Sequence, residues 1–231
     1  MLSEQMEDYL KAIYRLERDG EPPIATSTIA ETLDVTPPTV TSMVEKLADR
    51  DLVEREKYKG VTTTPDGEAV ALEIIRHHRL LETFLTEELG YDWAEVHEEA
   101  EVLEHHISEE FERRVAAALD EPEVDPHGDP IPSEALDPVD DVAATALSEH
   151  DEGGRLEVAR VRDRDPAELT YLADAGITPG TVLTVDEVAP IGMVTVKLES
   201  GADVSLPDHI ADAIQVRQPE AERTEDGVSE V

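Results

Sequence analysis

Side chains able to hold a divalent cation are concentrated in two short stretches of this chain. The first offers His78 and Glu82, four residues apart and therefore on one face of any helix that carries them. The second reads His97-Glu98-Glu99-Ala100-Glu101-Val102-Leu103-Glu104-His105-His106. In it His97 and Glu101 are spaced by four, and Glu104 and His105 follow Glu101 by three and four. Imidazole and carboxylate at such intervals suit a divalent transition metal. Histidine is informative because it is scarce: five of the eight (His77, His78, His97, His105, His106) fall within thirty residues. A lone Glu among 56 acids is, by contrast, an ordinary solvated group. His127, His150 and His209 read as incidental loop residues. Two enzyme patterns fail here. Di-metal carboxylate bundles use Glu-x-x-His, which occurs nowhere, and zinc proteases use His-Glu-x-x-His, whereas Glu101 stands where the second His should be. The spacing indicates binding rather than catalysis.

A second chemistry lies nearer the N-terminus. Thr36-Pro37 supplies an N-cap and a first-turn proline for a helix to about Asp49. Val40, Met43, Val44 and Leu47 recur at helical spacing and must face inward. The opposite face carries Thr36, Pro38, Thr39, Thr41, Ser42 and Lys46, hydroxyls and an ammonium suited to base edges and phosphates. Lys57, Tyr58 and Lys59 follow at the tip of a polar hairpin.

The elements needed to position these groups are legible. Residues 3–19 read as a helix with Met6, Tyr9, Leu10, Ile13 and Leu16 on one face, and a short helix fits Ser27–Leu33. Leu52–Arg55 and Val61–Thr64 read as a hairpin, which completes the order of a winged helix-turn-helix over 1–64. A long helix to about Leu89 and another from Trp93 to Leu119 form a helical domain over 65–120 that carries the metal-ligand candidates, and the family resemblance given below implies that it also serves dimerisation. Prolines 122, 126, 130, 132 and 138 mark 121–153 as a linker, with room for a short helix near Asp140–Leu147. From 154 to 217 the period changes to two: Val158–Val161, Val182–Val185, Met193–Leu198 and Asp203–Leu206 are strand candidates, and Pro166–Ala175 a helix. Residues 218–231 read as a disordered acidic tail. The predicted fold is mainly α over the first two-thirds, with a small β-rich C-terminal domain, which the resemblance given below implies is an SH3-like β-barrel.

Composition narrows the partners. No cysteine is present, so disulfides and thiolate sites are excluded, and neither a signal peptide nor an 18-residue apolar span is visible. A cytoplasmic protein with no membrane partner is expected. The net charge of −37 is unevenly spread: residues 1–64 carry 8 Lys/Arg against 13 Asp/Glu, and include four of the five lysines. Abundant acid with few lysines and aromatics resembles halophilic proteins, whose surface repulsion is screened by molar salt.

In order and spacing, Glu7-Asp8-Tyr9-Leu10-x-x-Ile13-Tyr14, Thr39-Val40-x-x-Met43-Val44-x-x-Leu47, His78-Arg79-Leu80-Leu81-Glu82 and Val96-His97-Glu98-Glu99-Ala100 running into Glu104-His105 resemble the diphtheria toxin repressor family of iron- and manganese-dependent regulators. Leu172-Ala173-Asp174-Ala175-Gly176-Ile177-x-Pro179-Gly180 resembles FeoA-like barrels. The resemblance implies a primary metal site at Asp8, Glu101, Glu104 and His105, joined by His78 in the manganese branch. It also implies an ancillary site at His78, Glu82 and His97, completed by Asp165 and Glu168. Asp8 and Glu101 stand where iron sensors have Met and Cys, so Mn²⁺ is favoured, with Fe²⁺ the other candidate. Lys11 departs from the manganese branch, which has Glu there. The implied function is a metal-dependent repressor of manganese or iron homeostasis genes, with the metal as corepressor and a homodimer on a palindromic double-stranded operator. A metal-storage or hydrolytic protein with an interaction-type winged helix is the alternative.

Overall fold

The computed structural model describes residues 2–56, 59–137, 143–162 and 165–219. They form two compact units, one reaching from the N-terminus to His78 and including Glu101–Arg114 and a stretch from Pro132, the other built from Arg79–Ala100, Val115–Ile131 and the C-terminal part.

In the first unit, α1 (Glu4–Asp19), α2 (Thr26–Thr32) and α3 (Pro37–Ala48) precede a hairpin of β1 (Val53–Glu56) and β2 (Gly60–Thr63). Leu10, Ile13, Ile29, Val40, Val44, Leu47 and Val61 share one buried core. Each such side chain contributes roughly 1.5–3 kcal/mol on burial, which fixes the inward face of α3 and leaves its polar face outside. Ile24 pairs with Val61 beside the hairpin. Gly60 permits this approach, because a Cβ there would lie 2.2 Å from the Ile24 carbonyl oxygen and its φ is +151°. Tip residues Lys57 and Tyr58 lie outside the described residues.

The long helix α4 spans Pro65–Leu89, as the periodicity predicts. The single helix expected from Trp93 to Leu119 is instead two: α5 (Val96–Leu103) and α6 (Glu109–Ala118). Ser108 starts α6, its Oγ accepting from the Phe111 N–H at 3.3 Å and its carbonyl from Glu112 N–H at 2.9 Å. A capping serine followed by Glu109 and Glu110 is a helix-start signal, and it outweighs continued periodicity.

In the second unit a six-stranded antiparallel sheet has the order β3-β8-β4-β5-β6-β7. Its strands are β3 (Thr145–Ala146), β4 (Arg155–Val161), β5 (Val182–Ala189), β6 (Met193–Leu198), β7 (Asp203–Pro207) and β8 (Ile214–Arg217). Helix α7 (Pro166–Ala175) follows β4, and α8 (Asp208–Ala213) joins β7 to β8. Leu147, Val158, Leu169, Leu183, Val196, Leu206 and Ile214 fill its core. The small SH3-like sheet is present, but it is not closed: β3 and β7 end it unjoined, which corrects the expectation of a barrel. The helix considered near 140–147 falls partly outside the described residues, and Leu147–Glu149 forms a 3-10 turn.

Residues 125–131, inside the Pro-rich stretch, are packed rather than solvated. Val124 bridges Pro130, and Asp125, His127 and Asp129 are buried. Gly128 makes this packing feasible, since a Cβ would meet the Ala159 carbonyl oxygen at 2.1 Å.

Candidate metal centres and nucleic-acid interface

Within the first unit, Asp8 on α1 meets the chain just beyond α5. Glu101 is in the last turn of α5, while Glu104 and His105 lie in the non-helical residues after Leu103. The ligand atoms of Asp8, Glu104 and His105 fall within 4.8 Å of one another. His105 stands between carboxylates, with Nδ1 2.7 Å from Glu7 Oε2 and Nε2 3.0 Å from Asp8 Oδ1 and 3.4 Å from Glu104 Oε1; with the proton on Nδ1, Nε2 would offer its lone pair to a cation. A carboxylate behind an imidazole fixes its tautomer and raises its basicity, the arrangement common behind metal-bound histidine. His78 Nδ1 lies 2.5 Å from Glu104 Oε2 and 3.9 Å from Glu101 Oε2. His77, which the spacing left without a task, donates from Nδ1 to the Glu104 backbone carbonyl at 3.1 Å and so pins the turn bearing these ligands. His106 is exposed, 3.7 Å from Glu4.

Burial and charge pull these acids in opposite directions. Burial pushes the Asp8 carboxyl above its ordinary range, Glu104 and Glu101 add to this, and His105 and Lys11 oppose it. Burial also acts to raise Glu104, but its hydrogen bond and proximity to His78, with Lys11 beside it, win and hold it below its ordinary range. Lys11 is the unexpected member. It is 4 % exposed and places Nζ 2.5 Å from Glu104 Oε1 and 3.1 Å from Glu101 Oε1.

The second unit holds another group, Glu82, Asp125 and His127, all buried and with ligand atoms within 4.8 Å. His127 Nε2 donates to the Trp93 carbonyl at 3.0 Å, so Nδ1 carries the lone pair and faces Glu82 Oε2 at 3.6 Å. His97 Nδ1 contacts Glu82 Oε1 at 2.9 Å. Asp125 Oδ1 accepts from the N–H groups of His127 and Asp129, a local turn that places its other oxygen toward Arg79 Nε at 3.9 Å. Sequence reasoning missed Asp125 and His127 because they sit in a stretch without periodicity. The spacing Asp-x-His beside an Asp-turn was the available signal. Asp165 caps α7, accepting from the N–H groups of Ala167 and Glu168, and Glu168 Oε1 lies 3.3 Å from His209. Among the described residues, neither joins these two groups.

On α3, Thr36, Pro38, Thr39, Ser42 and Lys46 are exposed and Thr41 is half-buried. Thr36 Oγ1 pairs with Thr39 Oγ1 at 2.9 Å, and Thr41 Oγ1 donates to the Pro37 carbonyl, so the hydroxyl row is preset. A groove of about 630 Å³ is lined by Thr26, Thr41, Arg55, Lys59 and Gly60 among others. Arg55 and Thr26 were not singled out from the sequence. Arg55 pairs with Glu45 at 3.1 Å and Lys59 with Glu56 at 2.7 Å, so both cations are held at the groove by exposed acids. Exposed pairs of this kind are worth little and can be exchanged for phosphate.

Comparison with known proteins identifies the domains that carry these residues. Residues 1–61 match the iron-dependent repressor N-terminal DNA-binding domain, 64–133 the iron-dependent repressor metal-binding and dimerisation domain, and 145–218 the FeoA domain. The iron-dependent repressor IdeR of Mycobacterium tuberculosis is 34 % identical over 228 residues, covering 94 % of this chain and 98 % of its own. The diphtheria toxin repressor of Corynebacterium diphtheriae is 32 % identical, with coverages of 94 % and 98 %. Among solved structures, a manganese-dependent transcriptional repressor in complex with manganese superposes with a TM-score of 0.84 at 40 % identity, covering 93 % of this chain and all of that one. ScaR with bound Cd²⁺ does so with a TM-score of 0.77 at 34 % identity, with coverages of 93 % and 99 %. These relatives are repressors and not enzymes, which sets aside the storage or hydrolytic alternative. No described helix is long and apolar enough to cross a membrane. The fold, the two clustered donor sets and the relatives together place this chain in the diphtheria toxin repressor family of divalent-metal-dependent, DNA-binding transcriptional repressors.

Proposed function

We propose that this protein is a Mn²⁺-responsive repressor that binds a palindromic operator as a homodimer in the cytoplasm and controls manganese or iron homeostasis genes. The observation that carries the reading is the convergence of Asp8, Glu104 and His105, from segments more than ninety residues apart, onto one locus of the first unit. The donors there are oxygen and nitrogen only, which suits Mn²⁺; Fe²⁺ is the competing ion because it shares these ligands. When bound, a divalent cation supplies positive charge among acids that otherwise repel one another.

The chain's own residues do the rest. Glu101, Glu104 and His105 anchor the α5 end, and Asp8 anchors α1, whose Leu10 and Ile13 share the core of α3. Bringing Asp8 to Glu104 therefore fixes the helix whose Thr39, Ser42 and Lys46 face outward, the geometry that a two-fold operator selects. Metal held more tightly by the DNA-competent form shifts the population toward it. Glu82, His97, Asp125 and His127 form a second candidate cation position, supported by the His127 lone pair aimed at Glu82.

Genome-wide DNA occupancy, measured with and without added Mn²⁺ or Fe²⁺, tests this beside a Glu101→Ala variant. Metal-dependent occupancy near uptake genes that is lost in the variant supports the reading and names the ion. Occupancy indifferent to metal overturns it.

A further inference from the structure

The geometry points to Lys11 as a tethered cation that fills one of two cation positions in the Asp8–Glu104 cluster, so that the cluster accepts a single divalent ion. This rests on the reading of that cluster as the metal-sensing site. Three observations carry it. Lys11 is buried, which a lysine tolerates only when its charge is matched. Its Nζ takes the Oε1 atoms of both Glu101 and Glu104, while the Oε2 atoms of the same two acids face His78. Each carboxylate is thus split, one oxygen to an ammonium and the other to an imidazole. Two metals sharing such carboxylates would sit about 3.5–4 Å apart, and the ammonium stands against the oxygens a second ion would need.

Charge leads to the same count. Glu7, Asp8, Glu101 and Glu104 bring four negative charges and Lys11 one positive. One divalent ion leaves this group at −1, close to balance. A second would leave it at +1 beside a buried ammonium, an arrangement that low-dielectric surroundings penalise. A carboxylate at position 11 would give −5 and would balance two ions as well as the present set balances one. Residue 11 thereby sets the metal stoichiometry, and with it the order of the metal response: a single-ion cluster titrates without the steepness of two coupled ions.

The test is direct counting on the full chain, with Glu82→Gln and His127→Ala together as background so that the second unit's donor set loses the carboxylate and imidazole that face each other. Equilibrium dialysis against Mn²⁺ gives ions per chain, and the electron paramagnetic resonance spectrum distinguishes isolated from exchange-coupled Mn²⁺. With Lys11 present, one ion and an uncoupled spectrum are expected; Lys11→Glu should raise the count to two and add the exchange-coupled signal. Should the Glu variant fail to fold, Lys11→Gln, which frees the same carboxylate oxygens without adding charge, carries the comparison and is expected to admit a second, weaker ion. Two coupled ions with Lys11 in place overturn the role of Lys11 but leave the site reading intact. A count that stays at one in the folded variant also overturns it. No ion with Lys11 in place overturns the site reading itself, and Lys11→Glu is then without a site to enlarge.

Discussion

The two donor clusters use the same chemistry in opposite settings. Asp8, Glu104 and His105 come from the first helix and from a turn more than ninety residues later, Asp8 is partly exposed, and a lysine is built in. Glu82, Asp125 and His127 are buried outright, and His127 is locked by the Trp93 carbonyl. A group in which burial strains the Asp8 carboxylate when empty has free energy to release on binding, which is what a sensor needs. A group sealed in a core has little freedom to respond and serves instead to hold the 124–131 loop against α4. The contrast assigns switching to the first and cohesion to the second.

The hardest blow to that contrast would come from Glu104→Gln. It removes the acid that both His78 and Lys11 address, and metal stimulation of operator binding should vanish, a loss on the order of 5–150-fold. A gel-shift titration in Mn²⁺ that shows unchanged stimulation breaks the assignment. In the second unit, His127→Ala strips the Trp93 carbonyl of its donor and should cost about 1–3 kcal/mol of stability, read as a lower denaturant midpoint. Metal stimulation should survive it; if stimulation is lost with stability, the two clusters are not separable.

The reading face offers an internal control. Lys46→Ala should weaken operator binding equally with and without metal and move the salt slope by about one unit in the positive direction. The slope of the intact protein in KCl should itself be shallow or positive, since cations must be taken up between an acidic chain and phosphate. A steep negative slope, near the −0.9 per phosphate contact of ordinary binding, would contradict that.

The smallest effect concerns Asp8 in the metal-free protein. Its folded value lies above the unfolded one through burial, so its favourable contribution exists below the unfolded value and is lost as pH rises through the folded value. Near neutral pH the ionised Asp8 therefore costs stability, and Asp8→Asn should slightly raise the metal-free melting temperature. Glu104 has the opposite sign: its value is lowered, so its contribution is present at neutral pH and disappears as pH falls through the folded value. A lower melting temperature for metal-free Asp8→Asn would remove the strain from the sensor argument.

Much of this was readable from residue order. The long helix ending at Leu89, the inward stripe Val40–Leu47 and the density of ligands at 97–105 all follow from periodicity, because each is local. What failed was non-local or aperiodic. Glu104 and His105 look helical by spacing, yet Ser108 starts a new helix and frees the turn before it. Asp125 and His127 are hidden in a Pro-rich stretch because only packing against β4, allowed by Gly128, turns that stretch inward. Sheet closure was unreadable because the β3 contribution is two residues long, below any alternation a sequence can display. Lys11 stood out as a departure from pattern, but only the fold reveals the oxygens it occupies.

The open sheet has a consequence for how the protein behaves in a crowded cell. An open sheet leaves two edges that could template growth by neighbouring chains, and both are blunted. At one, β3 is too short to seed a ladder; at the other, β7 begins at Asp203 and ends at Pro207, a charge and a residue with no N–H to donate. The C-terminal unit thus gains a small sheet without the filament hazard such edges carry.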